Sequence, residues 1–349
     1  MELLRQIQQK MGATLDSATK IPLSFGNDER AFVAAKEEVV ISDRSNWGLL
    51  KFTGDDRLRY LHNQSTNNFN QLQPGQGCDT VFVTSTARTL DLTTAYVTED
   101  AVLVLVSPQR RQKLLEWLDR FIFPFDKVEL SDISTEYAVF NLIGKQSNDL
   151  LTKLGLQSVI NQPENSHQLV NFDNNIIRVA VGNGLALPGY TLIIPVAEAA
   201  ACWSKLITIG VIPLGDRVWS QLRILQGRPI PDQELTEDYN PLETGLWSAI
   251  SFEKGCYIGQ ETIARLNTYK GVKQQLWGIK LSTPVNPETP LILEGNKVGI
   301  LTSCTKTPEG TFGLAYLRTK AGGVGLQVQV GEANGEIISV PFLSHEYYS

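Results

Sequence analysis

The C-terminal part of the chain restricts the possible folds most, because it contains short apolar segments with almost no helical periodicity. From about residue 275, segments such as LWGIKLS, TFGLAYL and VGLQVQV are separated by turns every 8 to 12 residues. Short strands with turns at this spacing are typical of a small closed or sandwiched β module. The sequence therefore predicts a C-terminal β-barrel.

Strand-like and helix-like patterns alternate upstream of this module. Residues 39–41, residues 49–52 and the run YTLIIP resemble strands, and DRVWSQLRILQG resembles a helix that ends at Gly227. A polar stretch at about 156–176 is predicted to be irregular surface. Repeated strand–helix–strand units favour two related halves. We predict an α+β fold with two related, ferredoxin-like α+β halves at residues 1–135 and 136–270, followed by the barrel at 271–349.

Composition and charge exclude several classes of protein. The chain has 349 residues, a net charge of −6 and a pI of about 5.3, which gives no general electrostatic attraction to nucleic acid or to an anionic membrane. The N-terminal MELLRQIQQKMGATL resembles an amphipathic helix rather than a leader peptide, and no window approaches a membrane span. Reduced thiols in the cytoplasm and no metal site are expected, because the four cysteines form no CxxC pair: Cys78, Cys202, Cys256 and Cys304.

The segment KGCYIGQE, at residues 254–261, places a cysteine in a polar turn marked by glycines. Gly259 is predicted to be the N-cap of a helix with Glu261 in its first turn. Cys256 would then stand just before a positive helix terminus, with Lys254 close by, and both features lower the pKa of a thiol. The alternative is that Cys256 is a small buried hydrophobic residue, as most free cysteines are.

The longer pattern K-G-C-Y-x-G-Q-E-x-x-x-R, met by Lys254 through Arg265, resembles the signature of the YgfZ family of folate-binding proteins. That family is related to the T-protein (aminomethyltransferase) of the glycine cleavage system. SNWGLLKFTGDDRLRYLHNQST, LRILQGRPI and NPLETGL are similar to blocks of the same superfamily, so the resemblance covers nearly the whole chain. It implies a ring of three domains around a folate channel. It also implies that the protein binds tetrahydrofolate or a derivative and supports the assembly or repair of iron–sulfur enzymes, including tRNA-modifying ones.

The resemblance also implies particular site residues. Trp47 and Trp219 match the family's two folate-contacting tryptophans, and an indole is a suitable surface for a flat pterin. Either tryptophan could instead pack in a core. Tyr257 is expected beside the channel, and Cys256 is expected to act as a functional thiolate whose pKa Lys254 lowers. Folate and iron–sulfur client or assembly proteins are the predicted partners, without direct contact to nucleic acid or membrane.

Two departures from the T-protein pattern bear on enzyme activity. In STARTLDLTTAY, Asp91 is the only carboxylate, and Leu92 stands at the second position of the T-protein's Asp-Asp pair. In RILQG, Leu225 replaces a glutamate that holds the pterin edge. The sequence therefore predicts an accessory protein rather than an active aminomethyltransferase. A folate-dependent aminomethyl or one-carbon transferase, and a scaffold with a vestigial pocket, remain alternatives.

Overall fold

The computed structural model describes residues 1 to 345, which form eight α-helices and nineteen β-strands. The helices are α1 (Glu2–Lys10), α2 (Asp28–Glu37), α3 (Arg57–Gln64), α4 (Arg111–Asp119), α5 (Ser147–Lys153), α6 (Ala199–Thr208), α7 (Asp216–Gln226) and α8 (Gln260–Thr268). The strands are β1 (Thr14–Leu15), β2 (Pro22–Ser24), β3 (Val40–Asp43), β4 (Gly48–Thr53), β5 (Gly77–Val83), β6 (Thr89–Val97), β7 (Ala101–Val106), β8 (Glu129–Asp132), β9 (Tyr137–Ile143), β10 (His167–Phe172), β11 (Asn175–Val181), β12 (Gly189–Pro195), β13 (Ile212–Leu214), β14 (Gln274–Leu281), β15 (Pro290–Leu293), β16 (Asn296–Thr307), β17 (Gly310–Arg318), β18 (Gln327–Val330) and β19 (Ala333–Ile338).

The chain divides into two compact units, of which the first contains Met1–Leu58, Gln71–Cys78 and Thr94–Ser220. A six-stranded sheet of order β10-β11-β12-β9-β3-β13 lies in this unit, and its neighbouring strands are antiparallel except for β3 and β13. Its apolar face packs with α6 around Trp203, whose ring centre lies 5.3 Å from that of Phe140. Burial of these aromatic side chains stabilises the sheet.

Strands β3 and β4 follow each other closely in sequence but belong to different sheets. The strand β3 pairs with β9 in the six-stranded sheet, whereas β4 pairs with β7 and β8 in a five-stranded sheet of order β5-β6-β7-β4-β8. Both apolar runs were correctly predicted as strands, but not their separation into two sheets. The segment 44–47 carries the chain from one sheet to the other.

The second unit contains Arg59–Asn70, Asp79–Thr93 and the described part of Gln221–Ser349. Its C-terminal strands form a closed barrel of order β14-β17-β16-β15-β18-β19, so the predicted barrel is confirmed. The barrel interior is filled by apolar side chains such as Ile279, Leu301 and Ile337, all fully buried. The division into three domains with boundaries at 135/136 and 270/271 stays a prediction.

One element contradicts the sequence prediction. The polar stretch 156–176 was expected to be irregular, but it contains β10, the edge strand of the six-stranded sheet. Val170 and Phe172 are buried while Leu169 and Asn171 are exposed. Because an edge strand of this length buries only a few side chains on one face, its apolar signal is weak.

The helices are short throughout the part of the chain that the structure describes. The longest, α7, has 11 residues. None of the described helices has the length and apolar character needed to cross a bilayer.

Candidate functional site

The side chain of Asp43 fixes the turn between β3 and β4. Its Oδ1 accepts a hydrogen bond from the backbone N–H of Ser45 at 2.9 Å, a local turn that aspartate favours. Its Oδ2 accepts one from Gln8 Nε2 of α1 at 2.8 Å. The Trp47 N–H then donates to the carbonyl of Arg44 at 2.9 Å. The backbone that carries Trp47 is therefore held in one conformation.

Trp47 and Trp219 lie together in the first unit. Their ring centres are 6.1 Å apart and their planes make an angle of 80°, an edge-to-face arrangement. Both residues are largely buried, with exposed fractions of 7% and 6%. The two tryptophans that the sequence analysis singled out are thus direct neighbours, although their contact with folate stays a prediction.

Arg44 and Asp216 complete this group, and the sequence analysis missed both. The Arg44 guanidinium lies 4.5 Å from the ring centre of Trp219, and its Nη2 donates to Asp216 Oδ1 at 2.5 Å. The Arg44 side chain is only 2% exposed, whereas that of Asp216 is 36% exposed. The spacing gave a signal for Asp216 alone, which precedes Trp219 by three residues on one face of α7.

Two buried polar atoms beside the tryptophans make no hydrogen bond within residues 1–345. These atoms are Trp219 Nε1, a donor, and Asn46 Oδ1, an acceptor. Buried polar atoms in folded proteins nearly always have a partner, and each exception suggests a water or a ligand group. The Trp47–Trp219 cluster therefore offers a donor and an acceptor beside an aromatic surface.

Lys254 of the KGCYIGQE loop belongs to the second unit, where its whole ammonium group is engaged. Its Nζ donates to the backbone carbonyls of His62 at 2.5 Å, Ser65 at 2.7 Å and Asn67 at 2.6 Å. An ammonium has three N–H donors, so each has an acceptor. Nζ also lies 4.5 Å from the ring centre of Tyr257, a cation–π contact. Lys254 therefore joins the loop to the segment that follows α3.

Gly255 and Cys256, which lie between Lys254 and Tyr257, are exposed. A Cβ added to Gly255 would meet no atom within 4 Å, so the surface beside the thiol is open. Tyr257 is half-buried, and burial raises the pKa of its phenol to about 12. The roles of Cys256 as a functional thiol, of Lys254 in lowering its pKa and of Tyr257 as a folate contact stay predictions.

Helix α8 starts where the sequence predicted. Gly259 is its N-cap, with φ of 81°, and Glu261 lies in the first turn. A Cβ at Gly259 would lie 2.9 Å from the carbonyl oxygen of Thr84, so both the conformation and the space require glycine. The N–H of Ile258 donates to the Asn63 carbonyl at 2.9 Å, which attaches this end of the loop to α3.

The two positions that depart from the T-protein pattern differ in their burial. Leu92 is 1% exposed and packs in a core cluster with Val81 and Ile224. Asp91 is fully buried, and Leu225 is half-buried on α7. The side chain of Leu92 is therefore part of the hydrophobic core.

The four cysteines are free thiols, and Cys202, buried in the six-stranded sheet's core, has a pKa raised to about 12 by burial. Within the described chain, no three His, Cys, Asp or Glu side chains are grouped so that they could hold a metal ion. A metal cluster could therefore bind Cys256 only if other ligands came from elsewhere.

Comparison with known protein families shows which family the chain belongs to. Residues 6–254 match the family described as GCVT N-terminal domain, and the protein belongs to that family. The solved structure of glycine cleavage system aminomethyltransferase T from Bartonella henselae is similar to this one, with a TM-score of 0.86, 19% sequence identity and coverage of 99% of both chains. The predicted α+β fold with a C-terminal barrel is thereby confirmed.

Two relatives are similar to this chain over most of its length. A chloroplastic protein of Arabidopsis thaliana, named "Putative transferase At1g60990", is 46% identical over 327 residues, which are 93% of this chain and 76% of the relative. An aminomethyltransferase of Halalkalibacterium halodurans is 25% identical over 91% of this chain and 89% of its own. The chain is therefore related to aminomethyltransferases along most of its length. Its cytoplasmic location stays a prediction.

Proposed function

We propose that this protein binds tetrahydrofolate or a derivative through the Trp47–Trp219 cluster. The observation that carries the proposal is the pair of buried atoms, Trp219 Nε1 and Asn46 Oδ1, that make no hydrogen bond within residues 1–345 beside two indoles. A pterin is a flat heteroaromatic ring with donors and acceptors along its edge, and such an edge can accept from Trp219 Nε1 and donate to Asn46 Oδ1. Arg44 covers one face of Trp219, so that face is closed to a stacking ligand.

We further propose that the protein is a YgfZ-type accessory protein for iron–sulfur enzymes, with tRNA-modifying enzymes among its clients. The exposed thiol of Cys256, on a loop attached by Lys254, supports this role. A cluster usually needs about four thiolates. An iron–sulfur cluster would therefore be cargo that Cys256 shares with ligands of a partner protein.

A folate-dependent aminomethyl or one-carbon transferase is the second candidate. Its support is that the 46% identical relative is named as a transferase and that aminomethyltransferases are among the other relatives. The apolar side chains of Leu92 and Leu225 favour the accessory role, because neither can accept an N–H of the pterin or stabilise a developing charge. Asp91 would be the carboxylate available to a transferase.

Folate binding is tested with substitutions that keep an aromatic ring. Removing either indole entirely would leave a large cavity, so Trp47→Phe and Trp219→Phe are preferred to alanine. Phenylalanine keeps a smaller ring but has no indole N–H. We therefore expect Trp219→Phe to weaken tetrahydrofolate binding by about tenfold in isothermal titration calorimetry, since one hydrogen bond contributes about 0.5–1.5 kcal/mol. We expect Trp47→Phe to weaken it by about threefold through its smaller stacking surface. Trp117→Phe, on α4, is the matched control. If both variants bound folate as tightly as the wild-type protein, the folate site would lie elsewhere. If the wild-type protein bound no folate, the alternative of a scaffold with a vestigial pocket would be favoured.

The accessory role is tested in cells that depend on this protein for iron–sulfur enzyme activity. Cys256→Ala should lower that activity, whereas Cys304→Ala, a half-buried thiol of the same unit, should not. A glycine-cleavage assay with a lipoyl carrier protein tests the second candidate function, the transferase. Robust turnover by wild type would make the protein a transferase.

A further inference from the structure

The C-terminal end of α3 is closed by the KGCYIGQE loop. The helix ends at Gln64, and the His62 carbonyl in its last turn accepts a hydrogen bond from Lys254 Nζ at 2.5 Å. The next carbonyl, of Asn63, accepts one from the N–H of Ile258 at 2.9 Å. The last four carbonyls of a helix lack partners inside the helix and carry the negative end of its dipole. Two of these carbonyls are thus bonded by one short loop.

The loop brings a full positive charge to this negative end. Lys254 is 6% exposed, and its other two N–H groups donate to the carbonyls of Ser65 at 2.7 Å and Asn67 at 2.6 Å. Hydrogen bonds from an ionised donor are shorter and stronger than neutral ones. The buried charge of Lys254 is therefore compensated by carbonyl dipoles at the end of α3.

A third connection holds the start of the same loop. The N–H of Ser251 donates to the Thr66 carbonyl at 3.0 Å. The loop is thereby attached to the end of α3 and the turn after it at Ser251, Lys254 and Ile258. Cys256 lies exposed between the last two attachments.

From this geometry we propose that Lys254 is a positioning residue: its ammonium group caps α3 and so fixes the backbone that presents the Cys256 thiol. This inference rests on the proposed function, in which Cys256 is the functional thiol. It differs from the expectation that Lys254 acts on the thiol through its charge. The two roles predict different effects of removing the ammonium group.

The decisive variant is Lys254→Met, which keeps the apolar stem and removes the charge and the donors. Lys320→Met, at an exposed lysine of the same unit, is the matched control. Hydrogen exchange of residues 57–67 and 251–258 reports the attachment of the loop. The rate of Cys256 alkylation by iodoacetamide against pH, resolved by mass spectrometry of its peptide, reports the thiol.

In Lys254→Met, we expect amide exchange in both segments to become at least about tenfold faster while the pH midpoint of Cys256 alkylation stays the same. The control should match wild type in both measurements. Unchanged exchange would overturn the proposal. So would an alkylation midpoint that rises by about one pH unit, because the charge would then act on the thiolate.

Chemical rescue gives an independent test, and it also applies if Lys254→Met does not fold. Lys254→Ala lacks the atoms that n-propylammonium supplies. Adding this cation should restore slow exchange in both segments, whereas neutral n-propanol should not. Failure of the cation, or equal rescue by the alcohol, would show that the ammonium does not cap α3.

The proposal and the function it rests on can fail separately. Support of iron–sulfur enzymes should fall in Lys254→Met as it does in Cys256→Ala. If Cys256→Ala were fully active, the proposed function would be wrong and Lys254 would only stabilise the loop. If Cys256→Ala were inactive but Lys254→Met active despite fast exchange, the positioning role alone would be wrong.

Discussion

The Arg44 guanidinium lies over the ring of Trp219 at 4.5 Å, so a cation already occupies one face of the indole that we propose as a folate contact. The same guanidinium donates to Asp216, one helical turn before Trp219 on α7. Arg44 therefore links the turn after β3 to α7 and fixes the orientation of the indole. A folate bound as proposed would meet an indole whose orientation is already fixed.

Arg44→Lys tests whether the planar guanidinium over Trp219 is needed, or only its positive charge. Lysine keeps the positive charge but has no planar fork to stack on Trp219 while it donates to Asp216. We expect the free energy of unfolding in urea to fall by about 1–3 kcal/mol, and folate affinity to fall with it. Arg30→Lys, in the exposed pair with Glu38, should cause no measurable change. Equal stability of the two variants would contradict the structural role of Arg44.

Stability should decrease as the pH falls below about 6.5, because burial lowers the pKa of all three histidines, His62, His167 and His345. For His167, next to Arg178, the pKa falls to about 4. Between the folded and unfolded pKa values the unfolded chain binds more protons, so the contribution is complete above about pH 6.5 and is lost towards pH 4.

Urea unfolding at several pH values across this range measures the effect. His167→Gln should reduce the slope of stability against pH, because one of the three titrating groups is removed. Glu243 acts in the opposite direction near the lower end, since burial raises its pKa. A stability that stays constant or rises between pH 7 and pH 5 would contradict the prediction.

The two glycines of the signature should respond differently to alanine. Gly259→Ala forces a φ of 81° on a residue with a Cβ and brings that atom 2.9 Å from the Thr84 carbonyl. We expect a loss of about 1–3 kcal/mol in the free energy of unfolding. Gly255→Ala should change it by less than about 0.5 kcal/mol, because the space there is open. If Gly255→Ala impairs function without a loss of stability, a partner approaches the backbone at that point.

Leu92→Asp, which restores the second carboxylate of the T-protein pattern, should destabilise the protein rather than convert it into a transferase. The substitution places a carboxylate in the core cluster around Leu92, so we expect at least about 3 kcal/mol of destabilisation in urea unfolding. Leu225→Asp, at a half-buried site of the same unit, should cost less than half as much. Similar losses in the two variants would show that Leu92 is not confined to the core.

The sequence predicted features that depend on neighbouring residues. Gly227 marks the C-terminal end of α7, and Gly259 marks the start of α8. The spacing of turns alone indicated the barrel. The pairing of Trp47 with Trp219 was implied only by the family resemblance, because 171 other residues separate them. Patterns along one segment report which face is buried, but not which distant segment covers it.

The partners of Lys254 show the same limit more sharply. Its three acceptors are backbone carbonyls, between 187 and 192 positions away in sequence. Every residue has such a carbonyl, so no residue type marks the acceptors in advance. The lysine could be recognised as unusual beside a cysteine and two glycines, but its role required the path of the backbone.

The placement of β3 has a consequence for the protein as it is being made. This strand is complete at Asp43, but its neighbours β9 and β13 begin only at Tyr137 and Ile212. At ordinary translation rates the first of them leaves the ribosome on the order of ten seconds later. During that interval the nascent chain carries an apolar strand with unpaired backbone groups, the kind of edge that binds other chains. Residues 40–43 therefore stay without their native strand partners for that interval, and β3 can take its place in the sheet only after β9 has been synthesised.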